Sequence, residues 1–172
     1  MTNKKSNPVG LSYISQQSEY VNSKEKYYIN KEQDKYIYYF PTFGKNKSDE
    51  LIIELATTIN YCHDKNIDFL KNDADVLKYV HFLIIKHFSS LYEEIKDKSF
   101  EVHIETLSKM YDTGMYDLFF NEIFNEDEVQ KVIDQLYLTE ELADKYVKEL
   151  TEQKEIISKN VNTQLLRDKV LN

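Results

Sequence analysis

Tryptophan is absent from this 172-residue chain, and cysteine, glycine, proline and arginine are scarce. The single cysteine, Cys62, excludes an intrachain disulfide and any zinc cluster built on cysteines. Three glycines, Gly10, Gly44 and Gly114, cannot supply the glycine-rich turns of a P-loop or a dinucleotide-binding fingerprint. Arg167 is the only arginine, and the net charge is −8. Arginine is the preferred fork for phosphates and base edges, so the chain is a poor candidate for duplex nucleic acid. No apolar run approaches the roughly 18–20 residues needed to span a bilayer. The most hydrophobic stretch, residues 76–88, is interrupted by Lys78, His81, Lys86 and His87. The first fifteen residues hold no apolar segment of signal-peptide length, and the expected location is the cytoplasm.

What is present fits an ordinary globular chain: 41% hydrophobic and 30% charged residues. The charge is unevenly placed. Residues 1–47 carry eight lysines against four acids, a balance of +4, and the remainder has a balance of −12. Three segments are expected: a flexible polar arm over 1–24, a β-hairpin with a helical domain over 25–150, and an amphipathic helical tail over 151–172. The fold class is mainly α, a compact bundle of about five to six helices with an N-terminal aromatic hairpin.

Tyr27 to Ile29 and Tyr36 to Phe40 are aromatic and β-branched runs separated by a polar turn, the pattern of a hairpin. Two strands are marginal alone, so a helix or another chain must cover one face. Ser48 is expected to cap the next helix, with Leu51, Ile52, Leu55, Ile59 and Cys62 on its apolar face. A second helix is expected from Asp73 to Ile95, apolar around most of its circumference and therefore central. Ser99 should cap a third, with Phe100, Ile104, Leu107 and Tyr111 inward and a stop at Gly114. A short helix follows around 116–124. Asn125 and Glu128 read as a reciprocal capping box before a helix with Val129, Val132, Ile133 and Leu136 inward. Thr139 is expected to open a last helix through Leu142, Tyr146 and Leu150. In the tail, Ile157, Val161 and Leu165 return apolar character, as a partner-binding helix or a solvated end.

No catalytic, cofactor or metal site is legible. His63, His81, His87 and His103 lack both the His-x-x-x-His spacing of zincins and the Glu-x-x-His spacing of carboxylate di-iron bundles. His81 is expected at the edge of the core, bonded to a carbonyl or carboxylate, and Cys62 as a small core residue. The acids of residues 121–150 fall largely in first turns of helices, where the helix dipole explains them.

The fourteen tyrosines are the unusual enrichment. Tyr27, Tyr28, Tyr36, Tyr38 and Tyr39 crowd into the hairpin beside several lysines, with Phe43 just beyond. Three readings stay open: a ribbon covering its own core, a protein-interaction edge, and stacking on single-stranded bases. The candidate partner-binding residues are these six together with Ile157, Val161 and Leu165.

The stretches YIYYFPTF from Tyr36, DELIIEL from Asp49 and KYVHFLIIKHFSSL from Lys78, then DTGM from Asp112 and FNEDEVQKVID from Phe124, carry a family likeness. Over residues 36–138 the chain resembles the tail assembly chaperones of phages and prophages of low-GC Gram-positive bacteria. The resemblance implies a small, acidic, helical, non-enzymatic protein of the host cytoplasm. Such a protein binds the tape measure protein and helps tail tube subunits assemble around it. The basic arm and aromatic hairpin leave a second expectation, a structural or adaptor component of the virion such as a neck or tail connector. Self-association is left open.

Overall fold

The computed structural model describes residues 9–143 and residue 148. The candidate residues Ile157, Val161 and Leu165, the tail 151–172 and the boundary expected at 150 lie outside the described residues. The chain begins with helix α1 (Leu11–Val21), followed by strands β1 (Glu25–Asn30) and β2 (Lys35–Tyr39). Helices α2 (Lys45–Lys65), α3 (Asp73–His87), α4 (Leu91–Ile95), α5 (Phe100–Asp112) and α6 (Met115–Leu118) come next. One π-helical turn, Phe119–Ile123, leads into a helix over residues 126–143. The fold is mainly α with one antiparallel hairpin, as the sequence pattern indicates.

One compact unit ends at Val132, and the residues from Ile133 onward form a second. Residues 11–21 of the expected arm are helical, and α1 buries none of its side chains.

α3 is the centre of the first unit. Its residues Tyr79, Val80 and Phe82 to His87 are buried on all sides of the helix. Asn72 opens it, accepting from the Asp75 N–H at 2.9 Å and donating back to the Asp75 carboxylate at 2.7 Å. Asp73 and Asp75 sit at its positive end and Lys86 and His87 at its negative end, where the helix dipole favours each. Each large apolar side chain fully buried here contributes about 1.5–3 kcal/mol.

The helix expected to continue to Ile95 stops at His87. Ser89 and Ser90 are weak helix formers able to bond backbone groups, and the open edge of β2 offers partners. Ser90 N–H donates to the Tyr38 carbonyl at 2.7 Å, Phe40 N–H donates to the Phe88 carbonyl at 2.9 Å, and Ser89 bridges Tyr39. Phe88 fills the corner, stacked on Phe43 with centroids 3.8 Å apart, and Phe124 meets Phe43 edge-on at 5.2 Å.

α2 starts at Lys45 after Gly44, three residues before the expected cap, so Ser48 lies buried on its inner face. Leu51, Leu55 and Cys62 are buried as expected, but Ile59 remains exposed. The helix ends on Asn66 in the left-handed conformation. Asn66 N–H bonds the His63 carbonyl and Ile67 N–H the Cys62 carbonyl, the paired bonds of a Schellman turn.

On α5 the buried line is His103, Leu107 and Met110, while Tyr111 is exposed. The rotation of the face follows from His103, whose two ring nitrogens both find partners inside. The capping box is only half made. Asn125 Oδ1 accepts from the Asp127 N–H at 2.8 Å, but Glu128 reaches the Phe43 N–H instead of turning back. In the second unit, Thr139 opens no helix; its hydroxyl donates to the Gln135 carbonyl within a continuous helix. Leu142 is exposed, and Tyr146 and Leu150 lie outside the described residues.

Candidate binding surfaces

Alternation along the hairpin divides its tyrosines between two faces. The register pairs Tyr27 with Ile37 and Glu25 with Tyr39 on one face, and Lys26 with Tyr38 and Tyr28 with Tyr36 on the other. The first face turns inward: Ile37 is buried, while Tyr27 and Tyr39 are half-buried. Tyr27 donates to Glu122 at 2.5 Å and Tyr39 to Glu25 at 3.0 Å. Those hydrogen bonds hold the Tyr27 hydroxyl above its ordinary pKa, and for Tyr39 burial does so first and the bond second.

The outer face is a continuous aromatic patch. Tyr28, Tyr36 and Tyr38 are 39%, 41% and 40% exposed. They meet edge to face, at 5.9 Å for Tyr28 with Tyr36 and 5.3 Å for Tyr36 with Tyr38. Lys26 Nζ lies 3.5 Å from the Tyr36 centroid and donates to the Tyr28 hydroxyl at 3.2 Å. This cation–π contact places a positive charge over two of the three rings, Tyr36 and, at 4.8 Å, Tyr28. Of the six N-terminal candidates, Tyr28, Tyr36 and Tyr38 form this surface. Tyr27 and Tyr39 face the body, and Phe43 is in the core.

A second feature lies in the helical body. The face of α2 that carries Glu50, Glu54, Thr57, Thr58 and Tyr61 forms one wall of a groove of about 640 Å³. The other wall runs from Tyr92 to His103, with Tyr79 and His87 lining the groove as well. Inside it, the carboxylate of Glu54 is gripped from behind by two consecutive residues of α3. Lys86 Nζ donates to Oε1 at 2.5 Å, and His87 Nε2 donates to Oε2 at 2.8 Å. The Lys86 side chain is 2% exposed and that of Glu54 23%. Burial alone raises the Glu54 carboxyl, but the bonds from His87 and Lys86 outweigh it, and its pKa is lowered. His103 is held by the Ile95 carbonyl at Nε2 (3.0 Å) and by the Tyr79 hydroxyl at Nδ1 (3.3 Å), and burial lowers its pKa. His87 Nδ1 is buried with no hydrogen-bond partner among the described residues.

The family model named YomO matches residues 11–170. The chain belongs to the YomO family. A YomO relative, the SPbeta prophage-derived uncharacterized protein YomO of Bacillus subtilis (strain 168), is 26% identical over 131 residues. That alignment covers 75% of this chain and 73% of the relative. No solved structure matches. The YomO match takes in α1, both strands and all of the helical body, so both surfaces fall within the family's extent.

Sequence patterning missed the groove. Its one visible signal is Lys86-His87, two polar residues inside an otherwise apolar run that must be buried whole. Glu54, Tyr79 and His103 come from three different helices and carry no shared spacing. His81, by contrast, is half-buried as expected, but its Nδ1 bonds the Tyr116 hydroxyl rather than a carbonyl or carboxylate. His63 and Asp64 are exposed at 3.5 Å, and among the described residues no group of three or more metal-ligating side chains occurs. No described helix is long and apolar enough to cross a membrane.

Proposed function

We propose that this YomO-family chain is a non-enzymatic binding protein of a phage or prophage, acting as a tail assembly chaperone. Its client is the tape measure protein, with tail tube subunits as the second partner, and the contact is made by the outer face of the hairpin. The observation that carries this reading is the exposed cluster of Tyr28, Tyr36 and Tyr38 around Lys26. Tyrosine supplies large contact area at low conformational-entropy cost, and such clusters are enriched where proteins meet. The inward face of the same hairpin is tied to the body through Ile37, Tyr27 and Tyr39, so the outer face is presented on a rigid support. The prophage origin of the Bacillus relative and the resemblance over residues 36–138 supply the biological context.

The test is co-purification with the tape measure protein encoded in the same phage or prophage genome. The intact chain is expected to carry it into the soluble fraction. A chain with Tyr28→Ser, Tyr36→Ser and Tyr38→Ser is expected to lose it while keeping its helical circular dichroism. Equal capture by both chains would remove the hairpin from the reading.

One observation favours a second reading, a structural component of the particle. α1 buries nothing and exposes Leu11, Tyr13, Ile14 and Tyr20, an arm whose apolar residues are covered by none of the described residues. Stoichiometric presence of the protein in purified virions would select this reading over the chaperone.

A further inference from the structure

We propose that the groove between α2 and the segment 92–103 binds an extended peptide segment through a lysine or arginine, whose cationic head bonds the open side of Glu54. The wall contributed by α2 runs from Glu50 to Tyr61, about 16 Å at the helical rise, which is the reach of roughly five extended residues.

Glu54 is a prepared acceptor. A carboxylate offers about four lone-pair directions, and Lys86 and His87 use one on each oxygen. Both donors are almost fully buried and fix the orientation of the carboxylate, and His103 Nδ1, 3.8 Å from Oε1, stands beyond hydrogen-bond distance and is bonded to Tyr79 instead. Removing Lys86 and His87 from water is costly, and such buried pairs add little stability compared with apolar packing. A carboxylate held in one geometry for an incoming donor gives the arrangement a use. His87 Nδ1, on the same side chain, is buried without a hydrogen-bond partner among the described residues. The lone-pair directions of Glu54 that face the groove are what a guanidinium or ammonium group fills.

The surroundings point the same way. Tyr61, Tyr92 and Phe100 provide aromatic walls for an aliphatic stem and a cation. Glu50 and Glu101 line the groove, and of its two lysines Lys96 is paired with Glu93 at 2.7 Å, leaving Lys98 against two carboxylates. The tyrosine hydroxyls register that field. Glu101 is the main cause of the raised pKa at Tyr61, and Glu50 adds to burial at Tyr92.

The groove shares no residue with the hairpin face, so this proposal stands or falls separately from the client surface. It is tested on the full chain, isotope-labelled, by NMR titration with acetyl-Ala-Ala-Arg-Ala-Ala-amide. The control peptides replace arginine with norleucine or with glutamate. Saturable shifts confined to α2, Tyr79, His87 and residues 92–103, at least tenfold weaker with both controls, are expected. Tyr61→Ala, which removes a wall without opening the buried pair, should weaken binding several-fold, and Glu54→Gln at least tenfold. No saturable shift with the arginine peptide, or equal binding of the norleucine or glutamate peptide, would overturn the proposal. Because the peptide series is run on the unaltered chain, a variant that fails to fold leaves the test intact.

Discussion

The side-chain carboxylate of Glu128 accepts a hydrogen bond from the backbone N–H of Phe43 at 2.8 Å, across 85 residues of sequence. Phe43 follows the hairpin and is buried, and its N–H there has no strand to pair with. Glu128 sits in the first turns of the helix that begins at residue 126 and spends its second oxygen on Lys131. One carboxylate therefore ties the exit of the hairpin to the last helix of the compact unit. Truncation leaves a part-buried donor unmade, so Glu128→Ala is expected to cost about 1–3 kcal/mol in urea unfolding, and Glu128→Gln less.

The same corner was only partly readable. Asn125 and Glu128 have the spacing of a capping box, and a local pattern contains nothing to say that Phe43 competes for Glu128. The hairpin and the apolar character of α3 are encoded in short-range periodicity, and both are found where the pattern puts them. The break at Ser89 and Ser90 depends on the edge of β2, fifty residues away, and the groove depends on residues from four helices. These long-range choices leave almost no trace in any window of sequence.

The two faces of the hairpin should respond differently to substitution. Phe43→Ala removes a ring stacked on Phe88 and is expected to destabilise the fold by about 3–5 kcal/mol. Tyr28→Ser, Tyr36→Ser and Tyr38→Ser together should change thermal unfolding little, because their rings are part-exposed and contact chiefly one another and Lys26. Differential scanning calorimetry of the two variants makes the comparison.

Within the groove, Glu54→Gln strips a buried ammonium of its counter-charge. The expected loss is about 3–5 kcal/mol, with most of it recovered in Glu54→Gln combined with Lys86→Met, which restores neutrality to the site. A double-mutant cycle by chemical denaturation gives the coupling. Additive effects of the two changes would show that the pair is not the unit described.

Acid should weaken the fold in two stages. His81 and His103 have folded-state pKa values lowered by burial, so below the ordinary histidine value of 6.5 the unfolded chain takes up protons that the folded one does not. Stability is complete above that value and falls as the pH drops through it. Glu54, also lowered, contributes stability that is present above its ordinary value of 4.5 and is lost as the pH falls through its folded value. Urea midpoints should hold from pH 7.5 to 6.5, fall below 6.5 and fall again below 4.5, and His103→Gln should flatten the first of these declines.

The most direct test of the binding role is hydrogen–deuterium exchange on the full chain, alone and with the tape measure protein of the same genome. Tyrosine contact by the outer hairpin face is expected to slow exchange across residues 25–40, with the change abolished by the triple tyrosine variant. A complex that forms with no protection in that segment, or no complex at all, would contradict the account.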